Sequence, residues 1–526
     1  MKKLLALLLA MVMIMGLVAC TPEAEDSTPS SKVSISMPDL PDDPKGHVNA
    51  DIYPLDTNTT LRVAFNEDTT GENAATQLWE EITGVNLDLV HWTHDQMMTS
   101  LAAGDFPDCI LFPWDLTKDE VWKFAQEGKF INFLDYLDKM PNLAAQIKEN
   151  PEILEVCAYP DGKMYSLPKV GWSNTSQSNL LYIRTDLMAD MGWDKAPATA
   201  DQLLQFIKEA QAKYGSNPEF IAFVPQNKTY MDWNARNTLA TTLFPAFGKL
   251  IETGLTLDDK EEVVLGAATT QYRYYLEFMN EVWKSGAFAT DIYTMDSTQG
   301  KAIIQNGNCA ISIGTLAPAT AFADGIQHVE VMRPLISKYH GTKQWMKDPY
   351  VTFKGCVISS ACQDLDTALA FVDSFYATQE NPLNKEGTVW GYTIAKGVLG
   401  KHWTIDEVAG TWTSGEAWDG FSTALYTGNN TLIPTANLVT KGSGTMENLV
   451  PYAVESPKLT ANIILSEEDA DDFAALWADL EKYISEMHAK FITGEEDLET
   501  GWDNYVNTLN RMGLEEILEI YQSYLD

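Results

Sequence analysis

Residues 61–112 read LRVAFNEDTTGENAATQLWEEITGVNLDLVHWTHDQMMTSLAAGDFPDCILF, and the order of patterns inside them decides the fold. The apolar run at 61–65 predicts a strand. Helical spacing follows over 72–82 and ends at Gly84. Residues 85–90 alternate as a half-buried strand does, 96–103 return to helical spacing, and 109–112 form a short apolar strand. Strand, helix, strand, helix, strand in that order predicts parallel strands with crossover helices, an α/β layer. Ligands of such sheets bind beyond the carboxyl ends of the strands. Three turns therefore become candidate ligand segments: 66–73, 91–95 and 113–117.

Working outward, the middle of the chain is also mixed. Residues 180–184, 220–224, 309–313 and 351–359 read as strands. Leu203, Leu204, Ile207 and Ala210 put a helix over 200–214, and an aromatic-rich helix spans 272–283. The C-terminal end is helical. Ser466 with Asp469 resembles a capping box, with Asp where Glu is usual. Phe473, Leu476, Trp477, Leu480, Tyr483, Ile484 and Met487 then share one face up to Gly494. A second stripe runs through Trp502, Tyr505, Val506, Leu509 and Met512 to Gly513. Stripes of this kind are core faces rather than cofactor boxes.

At the other end, Lys2 and Lys3 precede an apolar run over 4–18, too short and wrongly flanked for a membrane span. Leu17-Val18-Ala19-Cys20 closes it and resembles a bacterial lipobox, which makes residues 1–20 a lipoprotein signal peptide and Cys20 the lipidated residue. A lipid chain holds a soluble domain at a membrane without a span. Residues 21–58 are rich in Pro, Ser, Thr, Asp and Glu and read as a flexible stalk, because they bury too little to offset their ordering entropy.

Of the 526 residues, roughly 470 follow the stalk, which is long for one core and points to two lobes. Acidic residues number 74 against 36 basic ones, a formal net charge of -38. Phosphate backbones and anionic headgroups are repelled by such a surface, so nucleic acid is excluded as a partner and membrane contact is left to the lipid. Lipidation of Cys20 leaves Cys109, Cys157, Cys309, Cys356 and Cys362, an odd number that cannot all pair internally. Cys109 and Cys309 lie in strand-like runs and read as buried thiols; Cys356 and Cys362 could pair.

No nucleophile elbow, zinc-protease helix, P-loop or dinucleotide fingerprint is present. His91 and His94 lack further ligands for zinc, and Asp364 with Asp366 lacks the Gly and Glu of a calcium loop. No metal or cofactor is implied. A carboxylate pair for glycoside cleavage is a matter of distances, which a sequence does not give. Sugar binding asks for other parts: aromatic faces for the apolar side of the ring, and amides or carboxylates for its hydroxyls. The chain has 15 Trp, several of them in predicted turns after strands. Trp114 and Asp115 follow the strand at 109–112 directly; Glu67, Asp68 and Asn73 occupy the first turn.

Four blocks carry a family resemblance. They are LAAGDFPD at 101–108; DGKMYSLP at 161–168 with LYIRTD at 181–186; GVLGKHWT at 397–404; and YISEMHAKFITG at 483–494 followed by WDNY at 502–505. In this order, behind a lipobox, they resemble the family 1 extracellular solute-binding proteins of the carbohydrate-importer group, and within it the long LipO-type lipoproteins. The resemblance runs from about residue 59 to the C-terminus. Cys109 is a local departure where the family often has a branched apolar residue.

The resemblance implies a periplasmic-binding-protein-like fold, two α/β lobes joined by a multi-segment hinge. Crossings fall at 168–179, at 355–361 and once more late in the chain. One lobe takes 59–170 plus 357–425, the other 171–356 plus 426–526. The implied ligand set adds Trp172 and Asn174 after the first crossing, Tyr230, Asp232, Trp233 and Asn234 in the second lobe, and Trp390 and Tyr392. The implied activity is capture of a carbohydrate for an ABC transporter permease, by a monomer on the extracytoplasmic face of the cell membrane. A surface-anchored glycosidase or lyase, or an adhesive lipoprotein, stands as the alternative.

Overall fold

The structure is a computed structural model that describes residues 36–38, 40, 53–65, 74–111, 116–170, 180–234, 238–314, 328–347, 351–353, 355–376, 401, 403–406, 411–414, 448–455 and 463–525. β1 (Thr60–Phe65), α1 (Ala74–Thr83), β2 (Asn86–His91), α2 (His94–Ala102) and β3 (Cys109–Leu111) follow in the anticipated order, with β1 parallel to both β2 and β3. Thr93 and Gln96 close the start of α2 with reciprocal bonds, and Thr117 and Glu120 do the same for α3 (Lys118–Gln126). Each pair satisfies main-chain donors that a helix start leaves unpaired. After α4 (Pro141–Glu149) the chain reaches the two-residue β4 (Lys169–Val170).

A second α/β set follows: β5 (Leu180–Arg184), α5 (Ala200–Tyr214), β6 (Phe223–Pro225), α6 (Leu239–Leu243), α7 (Thr270–Lys284), β7 (Ile311–Gly314) and β8 (Val329–Val331). The chain then returns through β9 (Trp345–Lys347), β10 (Val351–Thr352), β11 (Cys356–Ile358) and α8 (Leu365–Asp373). β12 (Trp403–Asp406) and β13 (Thr411–Ser414) form a hairpin, and β14 (Ala453–Glu455) pairs in parallel with β9. α9 (Glu467–Thr493), α10 (Leu498–Arg511) and α11 (Leu514–Ser523) follow.

Two four-stranded sheets result, in the orders β11-β3-β1-β2 and β8-β5-β7-β6. Each has its own core. The first gathers Val63, Trp79, Leu111, Phe133, Ile358 and Phe371, with the Trp79 ring 4.4 Å from Phe371 and 4.1 Å from Phe375. The second gathers Phe206, Phe223, Tyr272, Tyr275, Ile484 and Tyr505, so the C-terminal stripes pack as core faces. Each fully buried side chain of this size contributes about 1.5–3 kcal/mol. Between the sheets, β4 and β10 pair antiparallel, Val170 opposite Val351.

The structure departs from the sequence reading in one strand and in the extent of the stalk. Residues 351–359 are two strands in different sheets: β10 belongs to the crossing ladder and β11 to the first sheet. The break is at Gly355, where a Cβ would lie 2.5 Å from the Leu167 carbonyl oxygen, so only glycine allows the approach. The chain thus passes from the ladder to the first sheet at Gly355, the first residue of the expected crossing at 355–361. A late link lies at 463–465, where Ile464 packs in the first lobe and Ile463 and Leu465 in the second. The boundary at 425/426 lies outside the described residues.

The stalk also ends sooner than position 58. The Tyr53 hydroxyl donates to the Ala370 carbonyl at 2.5 Å, the Leu55 N–H to Thr83 O at 2.8 Å, and the Thr59 hydroxyl to Asp364. Residues 53–59 are thus a strap on the first lobe, held by side-chain and main-chain hydrogen bonds that composition does not reveal. Gly84 makes room for it: its φ is +74°, and a Cβ there would meet Leu55 O at 2.4 Å. Cys109, Cys157, Cys309, Cys356 and Cys362 are all free, so Cys356 and Cys362 do not pair. No helix among the described residues is long and apolar enough to cross a membrane.

Candidate functional site

Strand direction locates the site. In the first sheet β11 runs antiparallel to β3, with Cys356 opposite Leu111, so β11 enters where β3 ends. The carboxyl ends of β1, β2 and β3 therefore share the edge nearest the crossing. In the second sheet Leu180, the first residue of β5, lies opposite Gly314, the last of β7, and Pro225 at the end of β6 lies opposite Ile313. The carboxyl ends of β6 and β7 thus share the edge where β5 leaves the crossing. In both sheets this ligand-binding edge is the one at which the strand that follows the β4–β10 ladder in the chain, β11 or β5, begins.

On the first edge, Glu120 ties two helix starts together. Its Oε1 lies 3.1 Å from His94 Nε2, and its Oε2 accepts from the Thr117 N–H at 2.8 Å. The pair braces α2 against α3, whose start at Lys118 follows Trp114 and Asp115 in the sequence. Lys118 is turned inward: its Nζ donates to Val156 O at 3.1 Å and sits 5.5 Å from the Tyr159 ring centre. Burial pulls its pKa down to about 8. Asp364, considered for calcium, caps α8 by accepting from the Thr367 N–H at 3.2 Å. No group of three or more His, Cys, Asp or Glu suited to a metal occurs among the described residues.

On the second edge, the turn after Lys228–Met231 alternates inward and outward. Trp233 is 1% exposed and its indole N–H donates to Ser485 Oγ at 2.9 Å. Its ring lies 6.3 Å from that of Trp477. Trp233, expected as a ligand residue, is thus packed into the second core. Tyr230 is likewise buried, beside a Tyr182 hydroxyl that burial pushes well above its ordinary pKa and that has no hydrogen-bond partner. Asp232 and Asn234 are exposed. Glu67, Asp68, Asn73, Trp114, Asp115, Trp172, Asn174, Trp390, Tyr392 and Cys20 lie outside the described residues.

One residue at this edge escaped the sequence reading. Gln226 follows β6 directly and is buried. A Cβ on Gly314 would meet its Oε1 at 2.7 Å, so the amide lies across the end of β7 in space that the glycine leaves open. A planar amide at a strand end suits hydroxyl recognition. The available signal was a polar residue immediately after an apolar strand.

Sequence comparison decides the family. The bacterial extracellular solute-binding protein profile matches residues 60–399. This chain belongs to that family. It is therefore a binding protein that works outside the cytoplasm, and the reading as a glycosidase or lyase falls. The fructooligosaccharide ABC transporter substrate-binding protein FusA of Streptococcus pneumoniae serotype 4 is 23% identical over 482 residues, covering 86% of this chain and 87% of the relative.

Solved structures agree on the fold. An EF-hand mutant of S. pneumoniae FusA in complex with fructo-nystose superposes with a TM-score of 0.70 at 20% identity, covering 89% of this chain and 99% of that one. An extracellular solute-binding protein from Bifidobacterium longum subsp. infantis gives 0.69 at 16% identity, covering 90% and 99%. The alginate-binding protein AlgQ2 without calcium ion gives 0.66 at 17%, covering 89% and 98%. The solute-binding protein thus has the expected two-lobed α/β fold.

Proposed function

We propose that this solute-binding protein captures an oligosaccharide between its lobes and delivers it to an ABC transporter permease. The observation that carries the reading is that in both sheets the carboxyl edge is the one at which the strand following the β4–β10 ladder begins. Two walls that face each other across a hinge can close on a solute, and contacts from both exist only when it is bound. Relatives named for fructooligosaccharide, fructo-nystose and alginate support a saccharide as the solute.

The walls carry suitable chemistry. Asp232, Asn234 and Gln226 offer a carboxylate and two amides for sugar hydroxyls on the second lobe. From the sequence, Trp114 and Asp115, with Glu67, Asp68 and Asn73, are assigned to the ligand set, together with Trp172, Asn174, Trp390 and Tyr392. Cys20 carries the lipid that keeps a monomer at the membrane. Titration calorimetry against a panel of fructo-, gluco-, xylo- and alginate oligosaccharides, amino acids and peptides tests the reading. The expected result is saturable one-to-one binding of one saccharide class. Binding of a peptide or amino acid with no response to any saccharide overturns it.

A further inference from the structure

The segments that leave the carboxyl ends of the strands carry mostly one sign of charge. On the first edge, residues 66–73, 91–95 and 113–117 hold Glu67, Asp68, Glu72, Asp95 and Asp115 and no Lys or Arg. Lys118, the next cation in the chain, is turned inward to Val156 O. On the second edge, residues 315–327 after β7 hold Asp324 and no Lys or Arg. Residues 226–234 after β6 hold Asp232 and a single cation, the exposed Lys228.

A second carboxylate neighbours Asp232. Trp477, Glu481 and Ser485 recur four apart and so share one face of α9. The Trp477 and Trp233 rings lie 6.3 Å apart, and the Trp233 indole N–H donates to Ser485 Oγ at 2.9 Å. Glu481 stands between these two contacts and, like Asp232, is exposed. Loss of part of its hydration, together with the Asp232 carboxylate, raises the Glu481 pKa, and no cation is among the groups that act on it. Among the described residues neither carboxylate forms an ion pair.

We infer that the site selects an uncharged, hydroxyl-rich saccharide and rejects anionic ones such as uronate oligomers, with Glu481 of α9 joining Asp232 as an acceptor for the solute's hydroxyls. The inference rests on the capture reading and adds the class of saccharide. An ionised carboxylate accepts hydrogen bonds and donates none. Two neighbouring ones are satisfied by a solute that brings O–H donors and no negative charge. An anionic ring meets like charges from both edges as the lobes close and, Lys228 apart, finds no cation in these segments to receive it.

Calorimetry on the full chain at low and high salt tests this. One arm holds fructo-, gluco- and xylo-oligosaccharides, the other alginate and galacturonate oligosaccharides of matched length. The expected result is a neutral ligand whose affinity changes little with salt, and uronate binding weaker by about a hundredfold or more. Glu481→Gln keeps the size of the side chain and replaces a charged acceptor with a neutral amide. It should weaken the neutral ligand about tenfold. Its melting temperature should not fall, because the change removes the repulsion from Asp232. Tight binding of a uronate oligomer overturns the inference and leaves capture intact. So does neutral binding that Glu481→Gln leaves unchanged, or weakened binding that comes with a lower melting temperature, which makes Glu481 a structural residue. A wild type that binds no saccharide of either arm fails the capture reading itself, and this inference with it.

Discussion

Trp114 and Trp233 look alike in the sequence, each in a turn shortly after a short apolar strand, yet their expected consequences differ. Trp233 is a core residue. Trp233→Ala should cost about 3–5 kcal/mol of stability, seen as a lower melting temperature, as truncation of a buried Trp does. Trp114 follows β3 in the sequence and is proposed as a ligand residue, so Trp114→Ala should weaken saccharide binding by about 1–3 kcal/mol while the fold survives. Calorimetry beside a melting curve separates the two. A Trp114→Ala protein that melts much earlier but binds normally makes Trp114 a packing residue as well. Sequence could not split this pair, because Trp477 and Ser485, which meet the Trp233 ring and its N–H, lie far along the chain on α9.

At the scale of elements, much was readable where the period was long. α5 occupies 200–214 as its spacing requires, and Gly494 ends α9 with a φ of +78°. What was missed depends on approach rather than period: the split at Gly355, the strap at 53–59, and the separate helix α11 beyond Gly513. Another such long-range device is the start of α4, which has no capping side chain of its own. Asp373 of α8 replaces it, accepting from the Leu143 N–H at 2.9 Å, the Asn142 N–H at 3.1 Å and the Asn142 amide at 2.8 Å.

Burial raises the Asp373 pKa to about 7 although these donors lower it. A folded pKa above the ordinary 3.8 means the native protein holds a proton that the unfolded chain releases. The Asp373 contribution is then full below about pH 4 and is lost as pH rises toward 7. Asp373→Asn cannot titrate. In chemical unfolding, the stability margin of wild type over Asp373→Asn should therefore shrink between pH 4 and pH 7; a margin that widens contradicts the argument. Gly84→Ala, with no room beside Leu55, should release the strap and make the chain near residue 53 an early site of limited proteolysis.

At the scale of the molecule, the two-lobed plan was visible in the repeated strand–helix order and in the four ordered blocks, but which edge of each sheet carries the strand that follows the ladder came only from strand register. Anchoring has a direct check: Cys20→Ser should release the protein from membranes into the medium, and unchanged retention contradicts a lipid at that residue. The central claim is that a saccharide closes the lobes on the β4–β10 hinge. Small-angle scattering on the full soluble domain, with and without the saccharide found by calorimetry, tests it most directly. The account predicts a smaller radius of gyration at saturation; full occupancy with an unchanged scattering profile would contradict it.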